Sequence, residues 1–213
     1  MKNTALSYFF MLALTMFLTS TTYADESTTV MGLMNKWAKI NYLVAEDDQE
    51  KAFAELAKVA HDWVKKSPNQ APPLIWEAII KSTYAGAKGG LGALSLMKEA
   101  RDLLLLAEKI NPQALDGSIY ISLGSFYYMV PGWPIGFGDD DQALEYLKKG
   151  LSIAPDNMDA NYFMGDYWLE EHKYKKAIPF LEKVVNMPDV ENRPVYSKGR
   201  KAEAAKKLAK IKH

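Results

Sequence analysis

The sequence predicts an all-α fold, an α–α superhelix in which helical hairpins stack and a C-terminal helix caps the stack. Two observations predict it. Pro68, Pro112, Pro155 and Pro188 recur at spacings of 44, 43 and 33 residues, and each follows a segment with apolar residues at helical spacing. Proline is common just beyond a helix end because it cannot continue the hydrogen-bond ladder. A period of this size is typical of a structural repeat.

Residues 1–24 have the pattern of a secretory signal peptide. Lys2 is the only charge, a short apolar stretch follows, and small residues at Thr22 and Ala24 complete a cleavage site. We expect cleavage after Ala24, which leaves one helical repeat domain over residues 25–213 in the periplasm or outside the cell. An uncleaved N-terminal anchor is the alternative. No later segment is apolar for some 18 residues, so we expect no membrane span after cleavage.

Composition argues against several classes of function. The formal net charge is zero, which disfavours a nucleic-acid partner, and the absence of cysteine excludes disulfides, thiol catalysis and thiolate metal sites. The three histidines, at 61, 172 and 213, lack metal-ligand spacing. No nucleophile-elbow motif occurs. We therefore expect a non-enzymatic protein without a metal or a cofactor.

The helical elements follow one another in a regular order. Residues 28–66 are predicted to form a degenerate first hairpin, and three further hairpins are predicted over 72–112, 114–155 and 157–188. A basic helix over 195–212 has one apolar side and suits a solvated cap, with contact to anionic headgroups or an acidic partner as the alternative. About nine helices and no strand are expected.

The later hairpins resemble the tetratricopeptide repeat, which combines L-G-x2-Y in its first helix with A-x3-F and a proline further on. The matching first-helix residues are Tyr120, Leu123, Gly124 and Tyr127 in one copy, and Met164, Gly165 and Trp168 in the next. Small residues at these positions let two helices approach closely, while large residues fill the space between pairs. One hairpin cannot bury its apolar face alone, so such hairpins stack.

Two hairpins are nine or ten residues longer than the usual repeat. The excess is expected between the two helices of each hairpin, at "YAGAKGGLG", residues 84–92, and at "MVPGWPIGFGDDDQ", residues 129–142. The glycine-rich stretch predicts a flexible loop. It lacks the preceding strand and the spacing of a phosphate-binding loop, so that reading is weak.

The second insertion predicts a stiff apolar loop. Pro131 and Pro134 restrict the backbone, and the apolar side chains between and after them cannot all be buried within so short a loop. Trp133 and Phe137 must therefore either fold back onto the helices or line a binding site, and the sequence leaves both open. Asp139 or Asp140 is expected to cap the following helix, because the spacing of a calcium loop is absent.

A longer resemblance rests on the P-G-W-P-I-G-F-G-D insertion and the "KGRKAEA" segment. Over about residues 76–204 the chain resembles exported bacterial tetratricopeptide proteins that carry the same insertion. It is more distantly similar to the T-component proteins of tripartite (TRAP) transport systems. That resemblance implies a periplasmic helical-repeat protein that binds a substrate-binding subunit and a hydrophobic ligand. The chain departs from it in lacking a lipid-modified cysteine.

The repeat geometry implies a groove lined by the first helix of each hairpin. The expected groove and loop residues are Glu77, Lys81, Tyr84, Ile121, Ser125, Tyr128, Met129, Tyr162, Asp166, Leu169, Trp133 and Phe137. Tyrosines mixed with carboxylates suit recognition of a protein or peptide, so the first expectation is a scaffold or adaptor.

The alternative function is a carrier or transport accessory for a small apolar ligand, with the Trp133 loop as a lid. An enclosed apolar cavity under residues 131–137 would favour the carrier. An open groove with exposed Tyr128 and Tyr162 would favour the scaffold.

Overall fold

The computed structural model describes residues 29–211, and within that range the protein is all helical apart from its connecting turns, which confirms the all-α class. The nine helices of this range are α1 (Val30–Leu43), α2 (Glu46–Lys66), α3 (Ala71–Lys88), α4 (Gly90–Ile110), α5 (Ser118–Met129), α6 (Asp140–Ile153), α7 (Met158–Glu170), α8 (Tyr174–Asn186) and α9 (Pro194–Ile211). The predicted signal peptide, residues 1–24, and His213 lie outside the described residues. No helix in 29–211 is long and apolar enough to cross a membrane.

Consecutive helices pack in antiparallel pairs. The backbone N–H of Asp139, just before α6, donates to the carbonyl of Tyr127 near the end of α5 at 2.9 Å. The Nζ of Lys183, near the end of α8, lies 2.8 Å from Asp156 just before α7. The Nζ of Lys81 in α3 forms an ion pair with Glu99 in α4 at 2.8 Å. Each short connection therefore reverses the chain against the helix that precedes it.

Several glycines allow close helix contacts, and two of them lie in corresponding helices. A Cβ atom at Gly124 in α5 would lie 2.6 Å from Cγ of Leu147 in α6, and one at Gly165 in α7 would lie 2.8 Å from Cγ of Leu181 in α8. Both leucines are buried. Because real Cβ atoms do not approach other atoms this closely, the crossing of each pair depends on glycine at these positions.

The prediction of a flexible loop over residues 84–92 was wrong. Helix α3 continues to Lys88 and α4 begins at Gly90, and the turn between them is made by Gly89 and Gly90, with φ 65° and 62°. The extra residues instead lengthen the two helices to 18 and 21 residues. Glycine inside a helix costs only about 1 kcal/mol relative to alanine, and the tertiary packing of a long helix outweighs that.

The second insertion does form a loop, between α5 and α6. Its peptide bond Trp133–Pro134 is cis. The N–H of Gly138 donates to the carbonyl of Pro131 at 3.0 Å, which closes the loop on itself. Asp139 then caps α6, its side chain accepting from the backbone N–H of Gln142 at 2.9 Å. The loop is thus held at both ends by hydrogen bonds of its own backbone and of its cap.

The first and last described helices meet. Helix α9 packs on α8 and α7 and also on α1, while α1 packs on α2 and α3. The hydroxyl of Tyr42 donates to Glu203 at 3.2 Å, and Trp37 Nε1 donates to Thr83 Oγ1 at 2.8 Å. The odd-numbered helices therefore surround a central space, which α1 and α9 close on one side.

Candidate ligand-binding cavity

The central space contains two adjoining chambers. The first has a volume of about 450 Å³. Its wall includes residues of α1, α3, α5 and α7 and of the segment 190–200, which leads into α9. The second has a volume of about 570 Å³ and extends beneath the α5–α6 loop. The residues that line both are Trp37, Ser82, Thr83, Ser125, Phe126, Phe163 and Arg200. The two chambers therefore adjoin, and these side chains form their junction.

Part of the wall of the first chamber is aromatic and aliphatic. Trp37 and Trp76 meet edge to face with their ring centroids 6.4 Å apart. Ser82 and Thr83 add hydroxyl groups, but both hydroxyls donate to the carbonyl of Ile79 at 2.9 Å. Ser125 donates likewise to a carbonyl of its own helix. Because these donors are satisfied internally, this part of the wall presents an apolar surface.

The second chamber opens between α4 and the loop that follows α5. Leu94, Met97, Val130 and Pro131 contribute to its wall. Met129 and Ile135 at its edge are apolar yet 52% and 66% exposed. The opening therefore has an apolar rim.

Arg200 of α9 is the main buried charge at the junction. Its Nη1 donates to Glu203 at 2.6 Å, and its Nε lies 2.8 Å from Asp159 Oδ1 without the alignment of a hydrogen bond. Its guanidinium also lies 4.3 Å from the ring centroid of Tyr162. Burial lowers the pKa of Arg200, but the neighbouring carboxylates outweigh it and hold that pKa well above its ordinary value.

Four of the predicted site residues line this cavity. Ile121 lies in the first chamber, Met129 and Tyr162 in the second, and Ser125 in both. All four come from α5 and α7, where the predicted groove face overlaps the cavity face in part.

The remaining predicted residues lie elsewhere. Trp133, at the loop tip, is 90% exposed, whereas Phe137 folds back onto Tyr127 with ring centroids 5.4 Å apart. Tyr128 donates to Asp166 at 3.0 Å, and neither residue lines a chamber. Leu169 is partly buried against the helix core.

The predicted groove face of α3 does not line either chamber. Glu77 is buried between His61 of α2 at 3.0 Å and Lys81 at 3.1 Å. Tyr84 packs on the core near Lys88. The face of α3 that does reach the cavity carries Trp76, Ile79, Ser82 and Thr83. The expected register was therefore displaced by one or two residues on this helix.

Sequence reasoning also missed the contributions of α1 and of the α9 segment. No site residue was predicted in α1, although Trp37 lines both chambers. The basic C-terminal helix was predicted as a solvated cap or a contact for anionic headgroups or an acidic partner, although Arg193, Tyr196 and Arg200 line the first chamber. One signal was present. These three residues are spaced for one helix side, and the two arginines stand in a segment whose other basic residues are lysines. Arginine is the cation that proteins favour for buried pairing.

The two chambers are large enough to admit a small molecule. Within residues 29–211 no three His, Asp or Glu side chains come together as a metal site. The carboxylates of Asp159 and Glu203 are engaged with Arg200. No family model and no curated protein matches the chain. The cavity itself is therefore the main guide to function.

Proposed function

We propose that this protein is an exported, non-enzymatic helical-repeat protein that binds a small, largely apolar ligand in its central cavity, as a carrier or transport accessory. The observation that carries the proposal is the pair of adjoining chambers, the second of which lies beneath the loop that contains Pro131 and Ile135. An open peptide groove fits less well, because Tyr162 is 6% exposed and Tyr128 is partly buried.

The dimensions support a small-molecule ligand. Chambers of about 450 and 570 Å³ fall in the roughly 300–1,000 Å³ range of such sites. Transfer of one methylene from water into an apolar wall contributes about 0.8 kcal/mol. Affinity for a homologous series of apolar ligands should therefore rise about fourfold per methylene until the cavity is full.

We also propose that the helix pairs are tetratricopeptide-like units that form a superhelix. The antiparallel pairing and the glycine contacts at Gly124 and Gly165 support this. So does the position of α3, α5 and α7, the first helix of each proposed unit, around the cavity. The resemblance to the T-component proteins, which implies export and a hydrophobic ligand, is consistent with the same function.

A fluorescence titration tests the binding proposal. The neutral probe N-phenyl-1-naphthylamine should bind the purified protein saturably with increased emission. Ser125→Phe places a ring where the chambers meet and should weaken binding at least tenfold. Ser152→Phe on the exposed side of α6 is the matched control and should bind normally. Circular dichroism verifies the fold of both variants. Absence of saturable binding, or normal binding by Ser125→Phe, would contradict the proposal.

A second candidate function is the scaffold or adaptor, which one observation favours. Trp133 is 90% exposed in the same loop as the exposed Ile135, which gives this loop an exposed apolar patch. Such patches mark interaction sites on soluble proteins. The partner would be a protein or peptide, with a transporter's substrate-binding subunit as the specific case that the resemblance implies.

Partner capture from periplasmic extract tests this candidate. Trp133→Ala should reduce capture while helical content stays unchanged, whereas Tyr174→Ala removes an exposed ring in α8 and should have no effect. Equal capture by wild type and Trp133→Ala would remove the loop from the mechanism.

A further inference from the structure

Arg193 occupies an unusual position at the first chamber. It directly precedes α9, is 8% exposed and contributes to the chamber wall. Its backbone N–H donates to the carbonyl of Val190 at 3.1 Å, and its own carbonyl accepts from Ser197. Its guanidinium carbon lies 3.8 Å from the ring centroid of Tyr196. Hydrogen bonds thus hold the backbone of Arg193, and the ring of Tyr196 packs against its side chain.

The charge of Arg193 has no ionic partner in the described part of the chain. No carboxylate of residues 29–211 lies within 4.0 Å of it, and its buried Nε has no hydrogen-bond acceptor. The other buried charged residues, Glu77, Asp166 and Arg200, all have an oppositely charged neighbour. Burial lowers the pKa of Arg193, partly offset by more distant Asp159. Arginine remains charged near neutral pH, so an unpaired cation faces the chamber.

A second unsatisfied donor lies beside it. The indole Nε1 of Trp76 is buried without an acceptor, and the Trp76 ring centroid is 5.9 Å from the guanidinium carbon of Arg193. The neighbouring indole of Trp37, in the same wall, donates to Thr83 and is satisfied. Two N–H donors that have no acceptor among residues 29–211 therefore come together in the wall of the first chamber. Buried donors are rarely left unpaired, which indicates a missing acceptor.

From this convergence we propose that the ligand is an amphiphile with one carboxylate, such as a fatty acid, and that Arg193 pairs with the carboxylate. The inference rests on the proposed carrier function and names its ligand class. A planar carboxylate accepts two parallel bonds from a guanidinium and has further lone pairs for an indole N–H. The apolar tail then runs past Ser125 and Phe126 into the second chamber, toward Met129 and Ile135.

A single negative charge fits better than the double charge of a phosphate monoester. Arg193 is the one cation of the described cavity wall without a carboxylate partner, since Arg200 already has two. The wall of the first chamber also contains Asp116, Asp156 and Glu191, whose charges repel a dianion more strongly than a monoanion.

The experiment compares ligands that share a tail and differ in the head. Dodecanoate, 1-dodecanol and monododecyl phosphate are each used to displace N-phenyl-1-naphthylamine from the wild type and from Arg193→Gln. We expect the wild type to bind dodecanoate at least tenfold more tightly than the alcohol. Arg193→Gln should lose about 10- to 100-fold affinity for dodecanoate and keep its affinity for the alcohol within threefold. Arg193→Lys, which keeps the charge but not the planar fork, should fall between them.

The possible results separate the two proposals. Failure of all three ligands to displace the probe would overturn the carrier function itself. Equal affinities for acid and alcohol, unchanged in Arg193→Gln, would leave the carrier standing and overturn the carboxylate assignment. Tighter binding of the phosphate than of dodecanoate would also overturn it.

Unfolding of the ligand-free protein provides a second measurement. If Arg193 serves a ligand, Arg193→Met removes an unpaired buried charge and should leave the unfolding temperature unchanged or raised. The matched variant Arg200→Met removes a paired arginine of the same segment and should lower it. A clear loss of thermal stability in Arg193→Met would show that this arginine is structural, and the assignment would fail.

Discussion

Replacement of Gly124 by alanine tests whether the α5–α6 crossing depends on the absence of a side chain. The added Cβ would lie 2.6 and 2.8 Å from Cγ and Cδ2 of Leu147 and 3.0 Å from its backbone nitrogen. Ordinary van der Waals contact begins at about 3.4 Å. Leu147 is 1% exposed, so its side chain has no free space to enter. Because one of the contacted atoms belongs to the backbone, α6 itself must move away from α5.

The expected loss is the balance of two opposing effects. Alanine is favoured over glycine inside a helix by about 1 kcal/mol. Overpacking of a buried contact costs about 1–3 kcal/mol, and the backbone contact places Gly124→Ala near the upper end. The net loss is about 2 kcal/mol, which corresponds to a fall of about 4–8 °C in the unfolding temperature for a protein of this size.

Gly86→Ala is the matched control. It lies in α3, has no atom within 4 Å of the added Cβ and does not have a positive φ. We expect it to gain about 1 kcal/mol from helix propensity alone, a rise of about 2–4 °C. Urea unfolding followed by circular dichroism measures both variants. If Gly124→Ala were as stable as Gly86→Ala, the close-approach argument would be refuted.

Three further predictions concern stability. Burial raises the pKa of Tyr128, Tyr162 and Tyr196 above 10.0, so the native state holds protons that the unfolded state releases. These groups should not affect the free energy of unfolding below about pH 10, and above it that free energy should fall by about 1.4 kcal/mol per pH unit for each tyrosine. Urea unfolding at a series of pH values measures this. A free energy of unfolding that stays constant up to about pH 11.5 would contradict the burial of these tyrosines. Asn157→Ala removes the side chain that caps α7 and should lower the free energy of unfolding by about 1 kcal/mol. An unchanged midpoint of urea unfolding would show that this cap does not stabilise the protein. Arg200→Met leaves the partly exposed carboxylates of Asp159 and Glu203 without their cation and should lower the free energy of unfolding by about 2–3 kcal/mol. An unfolding temperature equal to that of the wild type would contradict this prediction.

The local sequence pattern was sufficient to predict that the protein is helical. Apolar spacing and the terminal prolines predicted an all-α protein, and Asp139 was one of two predicted caps for α6. These features depend on residues a few positions apart, which a single sequence displays. The stretch over 84–92 was the exception, because glycine content argued for a loop while the packing of α3 on α4 stabilises two long helices.

The face of each helix that lines the cavity was harder to predict from the sequence. On α5 and α7 the predicted face includes Ile121, Ser125 and Tyr162, which do line the chambers. On α3 it does not, because that helix buries apolar residues on several sides, from Leu74 to Ala85. A helix that is apolar nearly all round has no single face for periodicity to indicate.

The sequence by itself determined the helical class, the order of the helices and the glycines that permit their close approach, since each depends on local backbone preference and spacing. Tertiary structure alone decided that α1 meets α9, a contact that joins Tyr42 and Glu203 across 161 residues. That closure turns a surface into a cavity, in whose wall Arg193 is buried without a carboxylate partner among residues 29–211. Burial and pairing of a charge depend on everything that surrounds it in space, which a linear pattern does not contain.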